Sequence, residues 1–389
     1  MCNKIYKNLK EIVEQVRGIS YKPIDIFSNK TDNSIAILRA NNIKDNKLNF
    51  NDLVYINKEL ISKKQYLMNG DILICTSSGS KNLVGKAAQV NENLEMSFGA
   101  FCKVVRAKDI NNKYLNHFFS SPIYRSEISR VSIGSNINNI RKEHIDNLKI
   151  PIYDKKTENK IVLLLDNIVS LLNNKKCLLE KYDELVKSQF IEMFKDFDLS
   201  FQKEDWFELY KLGDIIGGST PKTHIKEFWN GNLNWITPAE LKENEKYIYE
   251  SQRKITEKGA KSCSLKEMPF DTVILSTRAP IGKVAISKCK FYCNQGFKNI
   301  ICGKLINPVY LYTLLKFNIE YLKTLGKGAT FKEISKTTIS KVKIPTPPIE
   351  LQNKFADFVQ HIDKLKFTIK KSIEKLENCY NSLMIKYFE

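Results

Sequence analysis

The sequence predicts an α+β protein built from two similar domains in tandem, separated by two long helices that form an antiparallel coiled coil. Three observations carry this prediction. The chain repeats itself, each copy closes with a long heptad pattern, and the remaining sequence reads as short strands and helices. These strands do not alternate regularly with long helices, so a doubly wound parallel sheet is not indicated. A chain of 389 residues suits two domains of ordinary size.

The repeat is clearest in two segments that lie 194 positions apart. Residues 149–166 read "KIPIYDKKTENKIVLLLD", and residues 343–360 read "KIPTPPIELQNKFADFVQ". The match continues at this offset to the last residue, and it extends backward with small shifts of the kind that loop insertions produce. The chain is therefore read as two copies of one unit.

The segment that closes each copy has apolar residues at alternating steps of four and three, which indicates a heptad seam. Prolines precede each helix, where their fixed φ is tolerated. The predicted seam comprises Ile161, Leu165, Ile168, Leu172, Leu179, Val186, Phe355, Val359, Ile362, Ile369, Ile373 and Leu376. About 35 helical residues form a rod of roughly 50 Å, too long to be buried against one small domain. We expect the two helices to bury each other's seams; packing of each helix on its own domain is the alternative.

Antiparallel pairing of the helices would relate the two globular domains by a pseudo-two-fold axis. Within those domains, runs such as "DILICT" (71–76) and "DTVILST" (271–277) are rich in Ile, Val and Thr and are bounded by turn residues, as strands are. The predicted division is a first domain at 1–153, a central helix at 154–197, a second domain at 198–346 and a C-terminal helix at 347–389.

Charge limits the class of partner. The chain has 62 Lys and Arg against 43 Asp and Glu, a formal net charge of +19, which favours polyanions such as nucleic acid or an anionic membrane surface. No segment approaches the roughly 20 apolar residues that cross a bilayer, and the N-terminus lacks the apolar core of a signal peptide. We expect a cytoplasmic protein without a membrane partner. The nine cysteines include no CxxC pair, so reduced thiols and no metal site are expected.

Four polar loops with cationic neighbours occur at matched positions of the two copies. "TSSGSKNLVGK" (76–86) matches "STRAPIGK" (276–283), and "SIGSNINNIRK" (132–142) matches "LGKGATFKEISK" (325–336). Small residues let backbone N–H groups approach phosphates, Lys and Arg attract the polyanion, and Asn, Ser and Thr read base edges. A solvated turn is the alternative for any single loop, but recurrence in both copies favours DNA contact.

These features together resemble the specificity subunit of type I restriction-modification systems. The tandem layout, the buried strand followed by a Ser/Thr loop and "GK", the "NQGF" at 294–297 and the "KIP" with a following "P-x-x-x-Q" carry the resemblance. It implies two target-recognition domains, each reading one half of a bipartite double-stranded DNA target. The helices would set the gap between the halves and dock DNA methyltransferase subunits, expected to number two, for adenine N6 methylation.

The resemblance also implies a non-catalytic chain that carries no cofactor, with S-adenosylmethionine bound by the methyltransferase subunits. Restriction would need a motor-nuclease subunit, and its presence is left open. The recognition residues expected from the first copy are Arg39, Asn41, Ser77, Ser78, Lys81, Lys86, Asn136, Asn138 and Arg141. Their partners in the second copy are Thr237, Ser276, Thr277, Arg278, Lys283, Lys327, Thr330 and Lys332, with Glu240 opposite Asn41. The first copy departs from the family pattern at "SFGAF" (97–101), where the second has "NQGFK" (294–298).

Two other functions remain open at this point. The first is a self-sufficient DNA modification enzyme with unrecognised motifs. One string, Asn307-Pro308-Val309-Tyr310, is similar to the Asn-Pro-Pro-Tyr loop of adenine methyltransferases. Its counterpart is Asn111-Asn112-Lys113-Tyr114, followed by Leu115 as Tyr310 is followed by Leu311. The retained feature is the Tyr-Leu that opens a helix, which favours a structural role. The second is a helical scaffold that does not bind DNA. Binding of S-adenosylmethionine to the isolated chain would support the enzyme. An affinity for DNA that does not fall steeply with salt concentration would support the scaffold.

Overall fold

The computed structural model describes residues 4–80, 83–132, 138–242, 245–278, 280–328 and 332–389. The chain divides into two compact units, which we call unit 1 (Met1–Cys177 with Lys370–Glu389) and unit 2 (Leu178–Ile369). Within the described ranges, no helix is both long enough and apolar enough to cross a membrane.

Unit 1 holds two four-stranded sheets and several short helices. Its strands are β1 (Ile5–Asn8), β2 (Val13–Arg17), β3 (Ile26–Phe27), β4 (Ser34–Leu38), β5 (Ile43–Lys44), β6 (Lys47–Leu48), β7 (Val54–Asn57), β8 (Ile72–Cys75), β9 (Ser77–Ser78), β10 (Ala87–Gln89), β11 (Met96–Phe98), β12 (Cys102–Ala107), β13 (Asn138–Asn139) and β14 (Lys149–Ile152). Its helices are α1 (Leu9–Ile12), α2 (Asn112–Phe119), α3 (Pro122–Ser132), α4 (Lys142–Asp146) and the first part of α5 (Lys155–Met193), with 3₁₀ turns at Pro23–Asp25, Ala40–Asn42, Lys58–Leu60 and Lys63–Gln65.

The first sheet of unit 1 is antiparallel, in the order β10-β8-β12-β2. The second has the order β11-β4-β7-β3, and its β11–β4 pair is parallel. Every residue of β8 is buried, which explains why "ILIC" is a continuous apolar run without alternation.

Unit 2 is built in the same way. Its strands are β15 (Phe207–Glu208), β16 (Gly213–Gly217), β17 (Trp229–Ile236), β18 (Tyr247–Ile248), β19 (Arg253–Ile255), β20 (Val273–Ser276), β21 (Val284–Ser287), β22 (Tyr292–Cys293), β23 (Phe297–Cys302) and β24 (Lys343–Ile344). Its helices are the second part of α5, α6 (Leu209–Leu212), α7 (Glu257–Ser262), α8 (Pro308–Phe317), α9 (Ile319–Thr324), α10 (Lys336–Ser340) and the first part of α11 (Ile349–Phe388), whose remainder lies in unit 1. The 3₁₀ turns of unit 2 are Leu199–Phe201 and Lys226–Phe228.

The sheets of unit 2 repeat those of unit 1. One has the order β16-β23-β20-β21-β18, whose four strands β16, β23, β20 and β21 are antiparallel like those of the first sheet of unit 1. The other has the order β19-β17-β22, and its β17–β22 pair is parallel, as β4–β11 is in unit 1. The α+β class and the tandem repeat predicted from the sequence are confirmed.

The repeat extends to individual hydrogen bonds. The Tyr114 hydroxyl donates to the Pro151 carbonyl at 2.9 Å, and the Tyr310 hydroxyl donates to the Pro345 carbonyl at the same distance. In both units this bond fixes a short helix (α2 or α8) to the chain just before a long helix. Because the tyrosine rings are fully buried, each bond satisfies a polar group that would otherwise be costly to bury.

The two long helices run antiparallel to each other inside each unit. In unit 1, Ile161 and Leu165 near the start of α5 share one apolar core with Met384 and Phe388 at the end of α11. In unit 2 the order is reversed, since Phe190 near the end of α5 packs against Phe355 near the start of α11, with ring centroids 5.3 Å apart. The predicted antiparallel pairing is confirmed.

Burial along the helices follows the heptad spacing. Every predicted seam residue is buried or half-buried. Leucines spaced by seven on another face of α5 remain 39–48% exposed, namely Leu164, Leu171, Leu178 and Leu185. The division into four segments at 153, 197 and 346 stays a prediction; the helices themselves begin at Lys155 and Ile349.

A buried histidine joins α2 to both long helices in unit 1. His117 Nε2 lies 2.9 Å from Asp166 Oδ1, and its Nδ1 lies 3.3 Å from the Tyr380 hydroxyl. Lys113 Nζ donates to the other oxygen of Asp166 at 2.9 Å. Burial lowers the pKa of His117 even though Asp166 opposes the shift, so the ring is neutral at pH 7. The neutral tautomer with its proton on Nε2 donates to Asp166 and accepts from Tyr380.

This histidine predicts a pH dependence of the stability of unit 1. Because the pKa of His117 is lowered on folding, the unfolded chain takes up the proton first, and stability is lost as pH falls below the ordinary value of 6.5. We expect this residue to contribute a slope of at most about 1.4 kcal/mol per pH unit below pH 6.5. His117→Gln keeps an N–H donor toward Asp166 and should remove that part of the slope.

Denaturant unfolding followed by circular dichroism at a series of pH values measures the effect. The three tryptophans, Trp206, Trp229 and Trp235, all lie in unit 2, so their fluorescence reports separately on a unit without this histidine. An unchanged slope in His117→Gln would show that the histidine does not control the acid sensitivity.

Candidate nucleic-acid interface

Three loops of unit 2 enclose an open cavity of about 320 Å³. The first follows β17 and the last follows β22; these strands are parallel neighbours paired at Ile236 and Cys293, so they end side by side. The second loop follows β20. The cavity is lined by Thr237, Pro238, Ala239, Arg278, Asn294, Gln295 and Gly296. Loops at the ends of buried strands present polar groups from a rigid scaffold.

Short hydrogen bonds hold the three loops together. Lys283 Nζ donates to the Pro238 carbonyl at 2.9 Å, which joins the second loop to the first. The Thr277 amide donates to the Gly296 carbonyl at 2.8 Å, which joins the second loop to the third. Thr237 donates through both its amide and its hydroxyl to Glu240 Oε1. The cavity wall is therefore preorganised.

The predicted contact residues of unit 2 differ in accessibility. Ser276 and Thr277 are fully buried, and the Ser276 hydroxyl donates to the Pro280 carbonyl at 2.7 Å. Arg278 lines the cavity with its side chain 42% exposed. Lys327 and Lys332 are exposed. The structure places Ser276 and Thr277 in the scaffold of the loop and leaves the cationic residues on its surface; DNA contact by all of them stays a prediction.

The charge beside the cavity is positive on balance. Glu333 lies beside Arg278, with its carboxylate 4.0 Å from the Arg278 guanidinium and 3.4 Å from Lys298 Nζ. Two cations thus share one carboxylate. Backbone hydrogen bonds of 3.0 Å in both directions pair Glu333 with Lys327, which adds a third cation to the same loop pair.

In unit 1, the residues that correspond to the first loop converge on one carboxylate. Arg39 Nη2 donates to Asp52 Oδ2 at 2.8 Å, and Asn41 Nδ2 donates to the same oxygen at 2.7 Å. The Arg39 amide donates to the Asn42 side chain at 2.8 Å, the same local cap that Thr237 forms with Glu240. The sequence comparison selected both Arg39 and Asn41 as contact residues, but nothing in it indicated that Asp52 would bind both of them.

The other predicted residues of unit 1 lie on a neighbouring loop. Ser77 and Ser78 form β9, which pairs with β13 so that Ser77 faces Asn139. Lys86 is half-buried, and Arg141 is exposed at the start of α4. Lys81, Asn136 and Thr330 lie outside the described residues, and only the backbone of Asn138 is described.

Equivalent hydrogen bonds show which residues of the two units correspond, and this correspondence differs from the one that the sequence match of the loops gave. The Thr76 amide donates to the Phe101 carbonyl, and the Ile140 amide donates to the Thr76 carbonyl. In unit 2 the corresponding bonds run from Thr277 to Gly296 and from Ile334 to Thr277. Thr76 therefore corresponds to Thr277, Ser77 to Arg278, and Phe101 to Gly296. The loop after β8 is longer than the loop after β20, and a linear match does not reveal where the extra residues lie.

Two residues of the cavity that sequence reasoning did not select are Asn294 and Gln295. They belong to the "NQGF" segment, which marked the family resemblance but received no contact role. The hydroxyl of Thr220 donates to Gln295 Oε1 at 2.7 Å. Because Thr220 lies 75 residues earlier in the chain, no local pattern pointed to this pair.

The segment that is similar to a methyltransferase loop has structural roles. Asn307 caps α8 by accepting from the Val309 amide at 2.8 Å, and its side-chain nitrogen donates to Asn353 at the start of α11. Asn111 forms the same two kinds of contact in unit 1, with the Lys113 amide and with Asn159. Among the described residues, no three or more His, Cys, Asp or Glu cluster so that they could hold a metal ion.

Comparisons with known protein families, related sequences and solved structures agree with the resemblance that the sequence motifs indicated. Residues 5–181 and 203–378 each match the type I restriction modification DNA specificity domain. The chain is 42% identical over 210 residues to the type I restriction enzyme MjaIX specificity subunit of Methanocaldococcus jannaschii, covering 52% of this chain and 48% of that protein. It is 26% identical over 403 residues to the putative MjaX specificity subunit of the same organism, covering 97% of this chain and 91% of the relative.

The chain thus spans about half the length of the MjaIX subunit and nearly all of the MjaX subunit. A solved chain from a structural study of complex assembly and conformational transition in the type I restriction-modification system has the same fold. It superimposes with a TM-score of 0.61 at 17% identity, covering 100% of this chain and 98% of that one.

Proposed function

Because the chain belongs to the family of type I restriction-modification DNA specificity subunits, whose members are non-catalytic, we propose that its two units read the two halves of a bipartite DNA target. Catalysis then resides on partner chains, namely methyltransferase subunits that modify adenine at N6. Restriction requires a further motor-nuclease subunit.

The observation that carries this proposal is the duplication of the candidate interface. Each unit places loops after equivalent strands, and each loop set carries Arg or Lys together with Asn, Ser or Thr. On a chain with a net charge of +19, two such surfaces favour one long polyanion over two small ligands. Phosphate contacts would position each unit, and the polar side chains would specify bases.

We further propose that the paired long helices determine the unread gap and dock the methyltransferase subunits. The 39-residue α5 and the 40-residue α11 support this role, because long helices with buried seams form stiff spacers. The exposed leucines of α5, spaced by seven, offer an apolar stripe suited to a partner helix. In this proposal the two target-recognition domains are the predicted segments 1–153 and 198–346. The two spacer helices are the predicted segments 154–197 and 347–389.

Mapping of methylated adenines tests the proposal. We expect deletion of the gene to erase one bipartite methylation motif from the host genome, because the catalytic subunits then lack the chain that binds the target sequence. Restoring the full chain should restore that motif. Single-molecule sequencing of genomic DNA from the two strains measures this directly.

The purified chain provides the matching control, since alone it should neither bind S-adenosylmethionine nor methylate DNA. Methyl transfer by the chain alone would establish a self-sufficient enzyme instead. An unchanged methylome in the deletion strain, together with DNA affinity that is insensitive to salt, would indicate a scaffold.

A further inference from the structure

The third loop of the cavity in unit 2 presents a carboxamide that is held in place but incompletely paired. Gln295 lines the cavity between Asn294 and Gly296. Its Oε1 accepts one hydrogen bond, from the Thr220 hydroxyl at 2.7 Å. Within the described part of the chain, neither its Nε2 donors nor the second lone pair of Oε1 has another partner. A donor and an acceptor remain side by side at the rim of an open cavity.

Two indole groups fix the segment that positions this carboxamide. Trp235 Nε1 donates to the Ser219 carbonyl, and Trp229 Nε1 donates to the Lys222 carbonyl, each at 3.2 Å. Thr220 lies between these two anchors. The Ser219 amide also donates to the Cys293 carbonyl at 2.9 Å, which ties the segment to the third loop itself. The Thr220 hydroxyl is therefore held rigidly where it meets Gln295.

The indoles are themselves packed firmly. The rings of Trp229 and Trp235 meet edge to face with centroids 5.0 Å apart, and the Arg253 guanidinium lies 4.2 Å from one centroid and 5.0 Å from the other. Aromatic and cation–π contacts of this kind stabilise a fixed geometry. A chain of packed groups thus leads from β17 and β19 to the Gln295 side chain, which limits the rotamers available to it.

The surroundings of Gln295 suit the edge of a DNA base. Gly296 lets the third loop pack closely against the first, because a Cβ at this position would lie 3.1 Å from both Asn294 Oδ1 and Pro238 Cγ. Arg278 supplies a cation at the same cavity. A glutamine amide pairs with adenine by donating to N7 and accepting from the N6 amino group, which uses the donor and the lone pair that Thr220 leaves available.

The equivalent place in unit 1 has different chemistry. The hydrogen-bond alignment puts Gly99, Ala100 and Phe101 where unit 2 has Asn294, Gln295 and Gly296, and Ser77 where it has Arg278. Ala100, which takes the place of Gln295, has no polar atom in its side chain, and neither has the neighbouring Phe101, which is 69% exposed. Unit 1 therefore lacks the means to read an adenine at this point, and the two half-sites should differ there.

We propose that Gln295, oriented by Thr220, is the residue of unit 2 that selects an adenine at one position of one half of the DNA target. Thr220 is a positioning residue that does not itself touch the base. This inference rests on the proposed function, since it names one base contact within the second reader.

The test uses the full chain expressed with its methyltransferase subunits in a host free of adenine methylation. Wild-type protein should give a bipartite motif with an adenine at one position of the half-site that unit 2 contacts. Gln295→Ala should relax that position alone, with discrimination against other bases falling by about 5-fold to 150-fold, because one bidentate pair is lost. The other half-site should stay unchanged. Thr220→Val should weaken discrimination at the same position to a smaller degree.

Two further variants make the result decisive. Gln295→Glu offers acceptors only and should shift the preferred base toward cytosine, whose N4 amino group is a donor. Gln252→Ala changes another exposed glutamine of unit 2 that is outside the cavity lining, and its motif should match the wild type. Tryptophan fluorescence confirms folding of unit 2 in each variant.

The outcomes separate the two proposals. A wild-type chain that yields no bipartite motif overturns the proposed function and this inference with it. A wild-type motif that persists unaltered in Gln295→Ala overturns the inference alone. Where Gln295→Ala abolishes all methylation, the glutamate variant decides, because a switch to cytosine supports base reading and the absence of any motif refutes it.

Discussion

Phe190→Ala is expected to lower the free energy of unfolding of unit 2 by about 3–5 kcal/mol, the range for removing a large aromatic ring from a packed core. Phe190 is completely buried at the end of α5. Its ring centroid lies 5.0–5.7 Å from those of Phe194, Phe317, Phe355 and Tyr310. Phe194 directly follows α5, Tyr310 and Phe317 belong to α8, and Phe355 belongs to α11. Because Phe190 itself lies on α5, its ring joins three helices, and the cavity left by alanine would reach all of them.

Chemical denaturation followed by tryptophan fluorescence measures this loss, because all three tryptophans lie in unit 2. Ile191→Ala is the matched control. It removes a large apolar side chain from the next residue of the same helix, but Ile191 is 47% exposed, so a change below about 1 kcal/mol is expected. A loss below 1 kcal/mol in Phe190→Ala as well would show that the aromatic cluster does not hold the helices together.

Insertion of one heptad into α5 after Cys177 is expected to reduce methylation of the original bipartite motif at least about 100-fold, since catalysis falls steeply when groups are misplaced. The insertion keeps the apolar face of the helix but shifts its register against α11. Pairs such as Lys176 with Glu377 in unit 1 and Lys366 with Asp183 in unit 2 no longer align on both sides of the inserted heptad.

A second insertion separates stability from spacing. Adding a heptad also after Ile369 in α11 restores matching lengths, so the unfolding free energy should recover. Each helix is then about 10.5 Å longer, equal to about three base pairs of DNA. We therefore expect the original motif to remain unmethylated.

The same heptad appended after Glu389 is the control, because it leaves the register of both helices unchanged, and it should keep the original motif. Methylation of the original motif with its original gap by the doubly extended chain would reject the proposal that the helices set the spacing.

The sequence by itself determined the repeat, the class of fold and the two long helices. Residues such as Ile161, Leu165 and Ile168 recur with a period that only a helix places on one face, and each helix follows a proline-containing segment. The duplication of "KIP" and of the Tyr-Leu that opens α2 and α8 predicted that the two units share their packing. The helices are readable because their pattern depends on neighbours within a few turns of the chain, and the repeat is readable because both copies are present in the sequence.

Only the tertiary structure decided the details of the candidate interface. It aligned Ser77 with Arg278 and Phe101 with Gly296, and it buried Ser276 and Thr277, which looked like surface contacts in a polar loop. It also brought Thr220 to Gln295. Such pairings depend on where the backbone of a loop passes and on which carbonyl each amide meets. Residues far apart in the chain supply those partners, so periodicity and local composition carry no record of them.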